Sequence, residues 1–447
     1  MCGGERFRLS ITLALLSLLV LLSACGGNAR LPAQAGTGPD PELPPPNPTL
    51  IPTVEIAPAV GWAEGEMPTP AANMKVTAFA EGLDHPRWLY VLPNGDVLVA
   101  ETNAPPGKSG IRGIKGWVMK QVMERAGAAV PSANRITLLR DTDGDGKADF
   151  RSVFLQGLHS PFGMALVGDT FYVANANALV KVPYQSGETT ITAAPTKVTD
   201  LPGKGDELNH HWTKSLLASA DGTHLYVGVG SNSNIAENGM QVEHMRAAIL
   251  EIDAATGTTR VFASGLRNPV GLDWEPHTGA LWAVVNERDE LGSDLVPDYL
   301  TSVRRDTFYG WPYSYFGQHV DERVSPQRPE LVARAVSPDF ALGAHVAPLG
   351  LAFNNGSVAG LGLGEGAFVG LHGSWNRRPL NGYEVVFVPF TDGRPTGPMS
   401  VVLSDFVDED GNARGRPVGV SLDGRGGLLV ADDVGNSVWR VTASVNR

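Results

Sequence analysis

The residues best suited to chemistry in this chain gather at one repeated position. A phrase recurs six times: a small polar cluster, then Pro-x-Gly and an apolar residue, a tight turn, and an apolar strand. It reads Gly82-Leu-Asp-His-Pro86 before Val97–Ala100, Gly157-Leu-His-Ser-Pro161-Phe-Gly163 before Phe171–Ala174, and Leu208-Asn-His-His-Trp212 before Leu225–Gly228. It returns as Gly265-Leu-Arg-Asn-Pro269-Val-Gly271 before Leu281–Val284, then more loosely as His345-Val-Ala-Pro348-Leu-Gly350 before Ala367–Gly370 and Arg414-Gly-Arg-Pro417-Val-Gly419 before Leu428–Ala431. The polar members are Asp84, His85, His159, His210, His211, Arg267, Asn268, His345, Arg414 and Arg416. Five of the 10 histidines fall there with three arginines, in a protein of net charge −12. Arginine forks grip carboxylates bidentately, and a neutral imidazole accepts a proton. Cation and base together suit a small anionic ligand, either a redox cofactor or an acidic substrate.

Something must bring six distant clusters to one level. Strand-like runs repeated in this way are the sequence form of propeller blades. The reading is all-β: a six-bladed β-propeller of four-stranded antiparallel blades, with the polar clusters ringing one mouth of the central channel. Its last strand, Ser437–Val441, is expected to pair with the N-terminal strand near Met74–Ala78, which abolishes the exposed edge. A chain of 447 residues that is 43% hydrophobic can bury such a core, and 53 Gly and 33 Pro suit many short strands with tight turns. The acidic balance argues against nucleic acid as a partner.

The first residues are targeting sequence. Arg6 and Arg8 precede the apolar run Leu13–Leu22, and Leu22-Ser-Ala-Cys25 has the form of a bacterial lipobox. Residues 1–24 are therefore expected to be a lipoprotein signal peptide, with Cys25 carrying the lipid. That exports the protein and anchors it to a bacterial membrane, facing the periplasm or the cell exterior. Residues 25–73, rich in Pro, Gly and Ala, read as an extended tether, and 74–447 as the propeller domain. Cys2 and Cys25 are the only cysteines, so the body has no internal disulfide and no Cys-x-x-Cys-His haem motif. Ile114, Val118 and Val122 recur at helical spacing, which predicts a short amphipathic helix inserted in the first blade and packed on the propeller. Asp141, Asp143 and Asp145, with Gly146 and then Asp149, space carboxylates like the first half of a calcium loop, although Ser152 stands where the usual last Glu would be. A structural ion is favoured there over a plain acidic turn.

Four local patterns together resemble the soluble, pyrroloquinoline quinone (PQQ)-dependent sugar dehydrogenases, the glucose and sorbosone dehydrogenase group. They are Asn209-His-His211 leading into Leu216, Gly265-Leu-Arg-Asn-Pro269-x-Gly271-Leu272, Tyr309-Gly-Trp-Pro312 and Asn412-Ala-Arg414-Gly-Arg416. The resemblance implies a PQQ- and Ca²⁺-dependent oxidoreductase that oxidises a sugar or sugar aldehyde and passes electrons to an external acceptor. His211 would be the general base, taking a proton while hydride passes to the quinone, and Arg267 with Asn268 would sit beside the reacting carbonyl. Arg414 and Arg416 would hold PQQ carboxylates, and His372 or Arg377 would replace a family lysine. Two successive backbone carbonyls within Asn286-Glu-Arg-Asp289, those of Arg288 and Asp289, would bind the Ca²⁺.

The chain departs from the glucose-oxidising members. The family's acidic partner of the base falls on Ser231, and His210 replaces another acidic residue. Asp206, Glu207 or an Asn is then left to orient His211, and Trp375 to stack on the cofactor in place of an aromatic that falls on Gly343. These differences fit the sorbosone-type branch better. Two other readings stand beside this one: a Ca²⁺-dependent propeller hydrolase of lactonase type, which needs converging carboxylates, and a non-enzymatic binding propeller.

Overall fold

Runs such as Val97–Glu101 and Leu428–Asp432 carry apolar residues on both faces and are buried at every position. A strand can shed its polar face in this way only when packed on both sides, as between neighbouring sheets. By contrast, Thr196–Asp200, which carries Thr, Lys and Asp around a single Val, lies at the outer edge of its sheet and is largely exposed. The computed structural model describes residues 27–49, 52–106, 121–356 and 361–444.

Six antiparallel sheets follow in chain order, each running from the channel outward. The first blade pairs Pro86–Val91, Val97–Glu101, Arg135–Arg140 and Phe150–Leu155, and the second Met164–Val167, Thr170–Ala174, Ala178–Pro183 and Thr196–Asp200. The third comprises Lys214–Ala218, His224–Val229, Ala248–Asp253 and Thr259–Ser264, and the fourth Asn268–Trp274, Leu281–Asn286, Pro297–Val303 and Phe340–Ala344. The fifth is Pro348–Asn355, Glu365–Leu371, Glu384–Thr391 and Ser400–Ser404. In the sixth, Pro417–Leu422, Leu428–Asp432 and Ser437–Ala443 are completed by the N-terminal strand Met74–Ala80, with Val76 opposite Val441. The expected ring closure is present.

The repeated Pro-x-Gly has a structural cause. Pairing slips by a bulge just after Pro86, Pro269, Pro348 and Pro417, where the inner strand begins. Proline has no N–H to give the ladder, so a bulge is where it fits. The glycine lies where inner strands of adjacent blades meet. A Cβ on Gly163 would stand 2.2 Å from the Leu216 nitrogen, and one on Gly350 2.3 Å from the Val418 carbonyl oxygen.

The N-terminal segment differs from the expected tether. Its described residues are docked on the propeller: Thr37 and Gly38 extend the fourth blade beside Leu342 and Ala341, and Thr69 and Pro70 extend the fifth beside Ser404 and Leu403. Between them Thr53 and Ala57 are buried. A Pro-rich chain without its own ladder is held here by backbone groups and apolar side chains that find partners on the propeller face, so it is not a free spacer. Of the inserted helix, residues 121–125 are helical and 107–120 lie outside the described residues, as do the signal segment and Cys25. Among the described residues no helix is long and apolar enough to cross a membrane.

Candidate functional site

The loops that precede the inner strands do converge. They line a cavity of about 470 Å³ at one mouth of the channel, and His85, His210, His211, Arg267, Asn268, His345, His372 and Arg416 all border it. The backbone is bent to aim them: His85 and His345 sit at φ 53° and 60°, a left-handed conformation that non-glycine residues hold only when their surroundings enforce it.

His211 is held by one ring nitrogen, which leaves the other free. Its Nδ1 lies 2.7 Å from the Ser231 carbonyl oxygen and 3.2 Å from Ser231 Oγ. An Nδ1–H donating to that carbonyl leaves Nε2 as the lone-pair nitrogen. The orienting group is thus Ser231, the position left without a carboxylate, and neither Asp206 nor Glu207 is used. Beneath the loop, the fully buried Lys214 Nζ donates to the Trp212 carbonyl at 2.9 Å and to Asn209 Oδ1 at 3.1 Å. The Arg246 guanidinium donates to the Leu208 carbonyl at 2.8 Å and the Gly230 carbonyl at 3.1 Å. Burial, then His210, Arg267 and Arg246, hold His211 well below the ordinary imidazole range. His210, whose ring lies 4.7 Å from that of His211, is lowered to about 4 by burial and by Arg267. The imidazole is therefore neutral and able to accept a proton through mildly acidic pH. Activity that depends on it should persist below pH ~6.5, the ordinary histidine value, and fail only on further acidification. Arg246→Met, which removes a buried cation, should move the acidic limb of a kcat/KM–pH profile upward.

Arg267 is held on every side. It donates to the Glu287 carbonyl at 2.6 Å, to Asn234 Oδ1 at 3.0 Å and to Asp289 Oδ2 at 3.0 Å. Asp289 also faces His345 Nδ1 at 3.4 Å, while His345 Nε2 lies 3.1 Å from the Gly292 carbonyl. Burial opposes both charges, but the Asp289 bond and charge raise His345, and Arg267 with His345 lowers Asp289. Across the cavity, Asp433 gathers Arg87 at 2.8 Å, His372 at 3.0 Å and His85 at 3.6 Å. Against the upward pull of burial, His372, His85 and Arg87 hold the Asp433 carboxyl far below the carboxylate range. Arg416 lies beside this group, its guanidinium 4.9 Å from the Tyr383 ring.

Several expected residues are placed elsewhere. Arg414 turns outward to Glu66 at 3.8 Å, because the backbone between it and Arg416 is pinned by Asp432, which accepts from the Arg416 N–H at 2.8 Å. Arg377 is buried against the Pro379 carbonyl and does not border the cavity. Arg288 is fully buried between Glu287 and Asp321, facing away from the cavity. The Asp289 carbonyl already accepts from Asn234 Nδ2 and Arg323, both at 3.0 Å, so neither lone pair is left for a cation. Asp84 is exposed, and His159 lies outside the lining. Asp141, Asp143 and Asp145 bring three carboxylates within 4.8 Å of one another on the outer side of the first blade, where Arg425 already pairs with Asp141, while Asp149 is bound to Thr142 instead.

Sequence reasoning missed Arg87, Asp298 and Asp433. Arg87 directly follows a repeat proline, and Asp433 directly follows the apolar strand Leu428–Asp432; both signals were on the sequence. Asp298 gave none, since it lies inside the strand Pro297–Val303, outside the repeated phrase, and accepts from the Glu287 and Ala347 N–H groups, with burial pushing it to about 7.

A family model described as TrAA12-like matches residues 68–298 and 322–444. The chain belongs to that family. A pyrroloquinoline quinone-dependent pyranose dehydrogenase of Coprinopsis cinerea is 26% identical over 438 residues, covering 83% of this chain and 54% of its own. A pyrroloquinoline quinone-dependent sugar dehydrogenase of Hypocrea jecorina is 22% identical, covering 85% of this chain and 90% of its own. The chain thus spans about half the length of the Coprinopsis protein. The solved PQQ domain of Coprinopsis cinerea pyranose dehydrogenase superposes with a TM-score of 0.68 at 21% identity, covering 87% of this chain and all of that domain. The TrAA12-like propeller is therefore the shared fold, and it agrees with the family resemblance read from the four sequence patterns.

Proposed function

We propose that this TrAA12-like propeller is a PQQ-dependent dehydrogenase that oxidises a sugar or sugar aldehyde, with His211 as the general base. The observation that carries the reading is the composition of the cavity: Arg87, Arg267 and Arg416 around one space, with a neutral imidazole aimed into it. PQQ is a flat tricarboxylate, and the donor set suits it. Arg87 Nε, Arg416 Nε and Asn268 Oδ1 are buried without a hydrogen-bond partner among the described residues, as expected of groups that await a ligand. The bound quinone would supply the hydride acceptor. Arg416 and Arg87 would hold its carboxylates, Trp375 and Trp212 would pack on its faces, and His211 would take the proton from the substrate hydroxyl. Arg267, fixed by four acceptors, would steady negative charge on the oxygen that reacts. A Ca²⁺ in the same space has Glu287 Oε1, a buried oxygen without a partner among the described residues, as a candidate ligand beside Asp298.

The hydrolase alternative needs free carboxylates converging on one ion. Glu287 Oε1 and Asp298 are left for an ion, but Asp289 and Asp433 are each paired with Arg and His, and the three arginines around the same space favour the quinone reading. The deciding experiment mixes purified protein with PQQ and Ca²⁺ and follows reduction of an artificial electron acceptor over a panel of aldoses and sugar aldehydes. Dye reduction that requires PQQ supports the proposal, and absence of PQQ binding by titration ends it.

The anchor belongs to the same reading: export, with lipid on Cys25 holding the propeller to a bacterial membrane. Gly27, two residues on, is already bound through its carbonyl to Ser293 Oγ at 2.7 Å, so an anchored propeller would stand close to the bilayer. Cys25→Ser should move the protein from the membrane to the soluble fraction. Unchanged membrane association would reject the anchor.

A further inference from the structure

Two segments outside the blade repeat meet at the cavity. One is the N-terminal stretch 53–62, which precedes the family-model match at residue 68. The other is the first-blade insert, described from residue 121. They clasp each other: the Ala59 N–H donates to the Arg125 carbonyl at 2.9 Å, and Gly127 is pressed so closely on Ala59 that a Cβ there would lie 2.8 Å from that residue's own. Together they bring Ile56, Val122, Met123, Ala126 and Ala128 to the cavity, an apolar side facing the polar ring.

The N-terminal stretch is anchored along its length. Asn376 Nδ2 donates to the Thr53 carbonyl at 2.6 Å, the Glu55 N–H to the Trp375 carbonyl at 3.0 Å, and the Val60 N–H to the Ala413 carbonyl at 2.9 Å. Ala57 is fully buried, and its carbonyl accepts from the Arg416 guanidinium at 3.1 Å. The Trp62 indole N–H donates to Asp432 Oδ2 at 2.7 Å, while Asp432 Oδ1 accepts from the Arg416 N–H. Trp62 also packs edge-on against Phe406 and Trp439. The segment therefore holds Arg416 twice: directly at the guanidinium, and through Asp432 at the backbone.

We propose that residues 53–62 are a fixed wall of the ligand cavity that positions Arg416 and, with residues 122–128, limits the occupant to a single sugar ring beside the cofactor. This deepens the dehydrogenase reading and rests on it for the identity of the ligands. The cavity, at about 470 Å³, lies toward the small end of ligand pockets, which run from roughly 300 to 1,000 Å³. With a planar tricyclic quinone in place, the remaining space suits a monosaccharide, and Ile56 is the side chain of the N-terminal segment that borders it.

Two measurements test this on the full chain. The first is independent of any ligand: amide hydrogen exchange at Glu55, Ala59 and Val60. A wall requires exchange slowed by about a hundredfold or more relative to unstructured peptide, and exchange at the free-peptide rate overturns the proposal. The second compares PQQ affinity, read by tryptophan fluorescence, with kcat/KM on a monosaccharide and its disaccharide. Ile56→Ala should raise the disaccharide-to-monosaccharide ratio about tenfold, the scale on which side-chain trimming changes a pocket's discrimination. Trp62→Phe, which keeps the ring and removes the donor, should weaken PQQ binding several-fold and raise KM more than it lowers kcat. Val261→Ser, an exposed side chain on the outer strand Thr259–Ser264 of the third blade, should change neither. Protected amides with no change in affinity or size preference would make the segment a structural brace and overturn the proposal. If the wild-type chain binds no PQQ, the dehydrogenase reading fails by itself, and the exchange rates alone decide whether the wall exists.

Discussion

His211→Ala should abolish turnover while PQQ still binds. General-base catalysis by a positioned imidazole contributes about a hundred- to ten-thousand-fold, so kcat should fall within that range and Kd for PQQ should move little. The asymmetry follows from where His211 sits. Its Nδ1 is committed to Ser231, and the guanidiniums of Arg87 and Arg416, proposed to hold the cofactor's carboxylates, belong to the Asp433 side of the cavity. Stopped-flow reduction with sugar measures the first quantity and fluorescence titration the second. Loss of cofactor binding with retained turnover per bound cofactor would reassign His211 from proton transfer to cofactor retention. A Ser231→Ala variant adds a finer check. The Ser231 carbonyl, which holds the Nδ1–H, survives that change, so the loss should be far smaller than for His211→Ala.

Arg416→Ala and Arg414→Ala should part company, although the two stand one residue apart. Arg416 is 5% exposed, borders the cavity, and is held by the Ala57 carbonyl and the Tyr383 ring. Removing a buried guanidinium from a ligand carboxylate costs about 2–4 kcal/mol, or roughly 30- to 1,000-fold in Kd. Arg414 pairs with the half-exposed Glu66, at 3.8 Å. Pairs of that kind are worth about 0–1 kcal/mol, and PQQ affinity should be nearly unchanged. Titration of both variants with PQQ checks the pair. Equal losses would show that Arg414 swings inward on binding and would restore the role that its sequence position suggested.

That contrast shows where sequence legibility ended. The six-fold phrase predicted the propeller, its closure by the Met74–Ala80 strand and the level at which His85, His210, His211, Arg267, Asn268, His345 and Arg416 meet. Repeat position carried this because equivalent residues of equivalent blades must lie at one height around one axis. The same logic failed for Arg414, where two adjacent candidates shared a loop and the Asp432 hydrogen bonds chose between them. It failed for the carbonyl of Asp289 because a backbone acceptor carries no sequence signature, and Asn234 and Arg323, both remote in the chain, occupy it.

The N-terminal segment is the sharpest case. Proline and glycine content said only that residues 25–73 form no regular element of their own, and an irregular chain is a tether or a strap according to what its backbone groups find. Here they find Trp375, Asn376, Ala413 and Arg416. What the sequence by itself determined is the all-β repeat and the chemical character of the ring, since both follow from residue type and period. What only the tertiary structure decided is which cation faces the cavity, that a serine carbonyl rather than a carboxylate orients His211, and that the Pro-rich segment brings Ile56 to the cavity. Each depends on contacts beyond the local run, from 16 residues between Arg416 and Asp432 and 20 between His211 and Ser231 to 359 between Ala57 and Arg416, and no local pattern encodes such contacts.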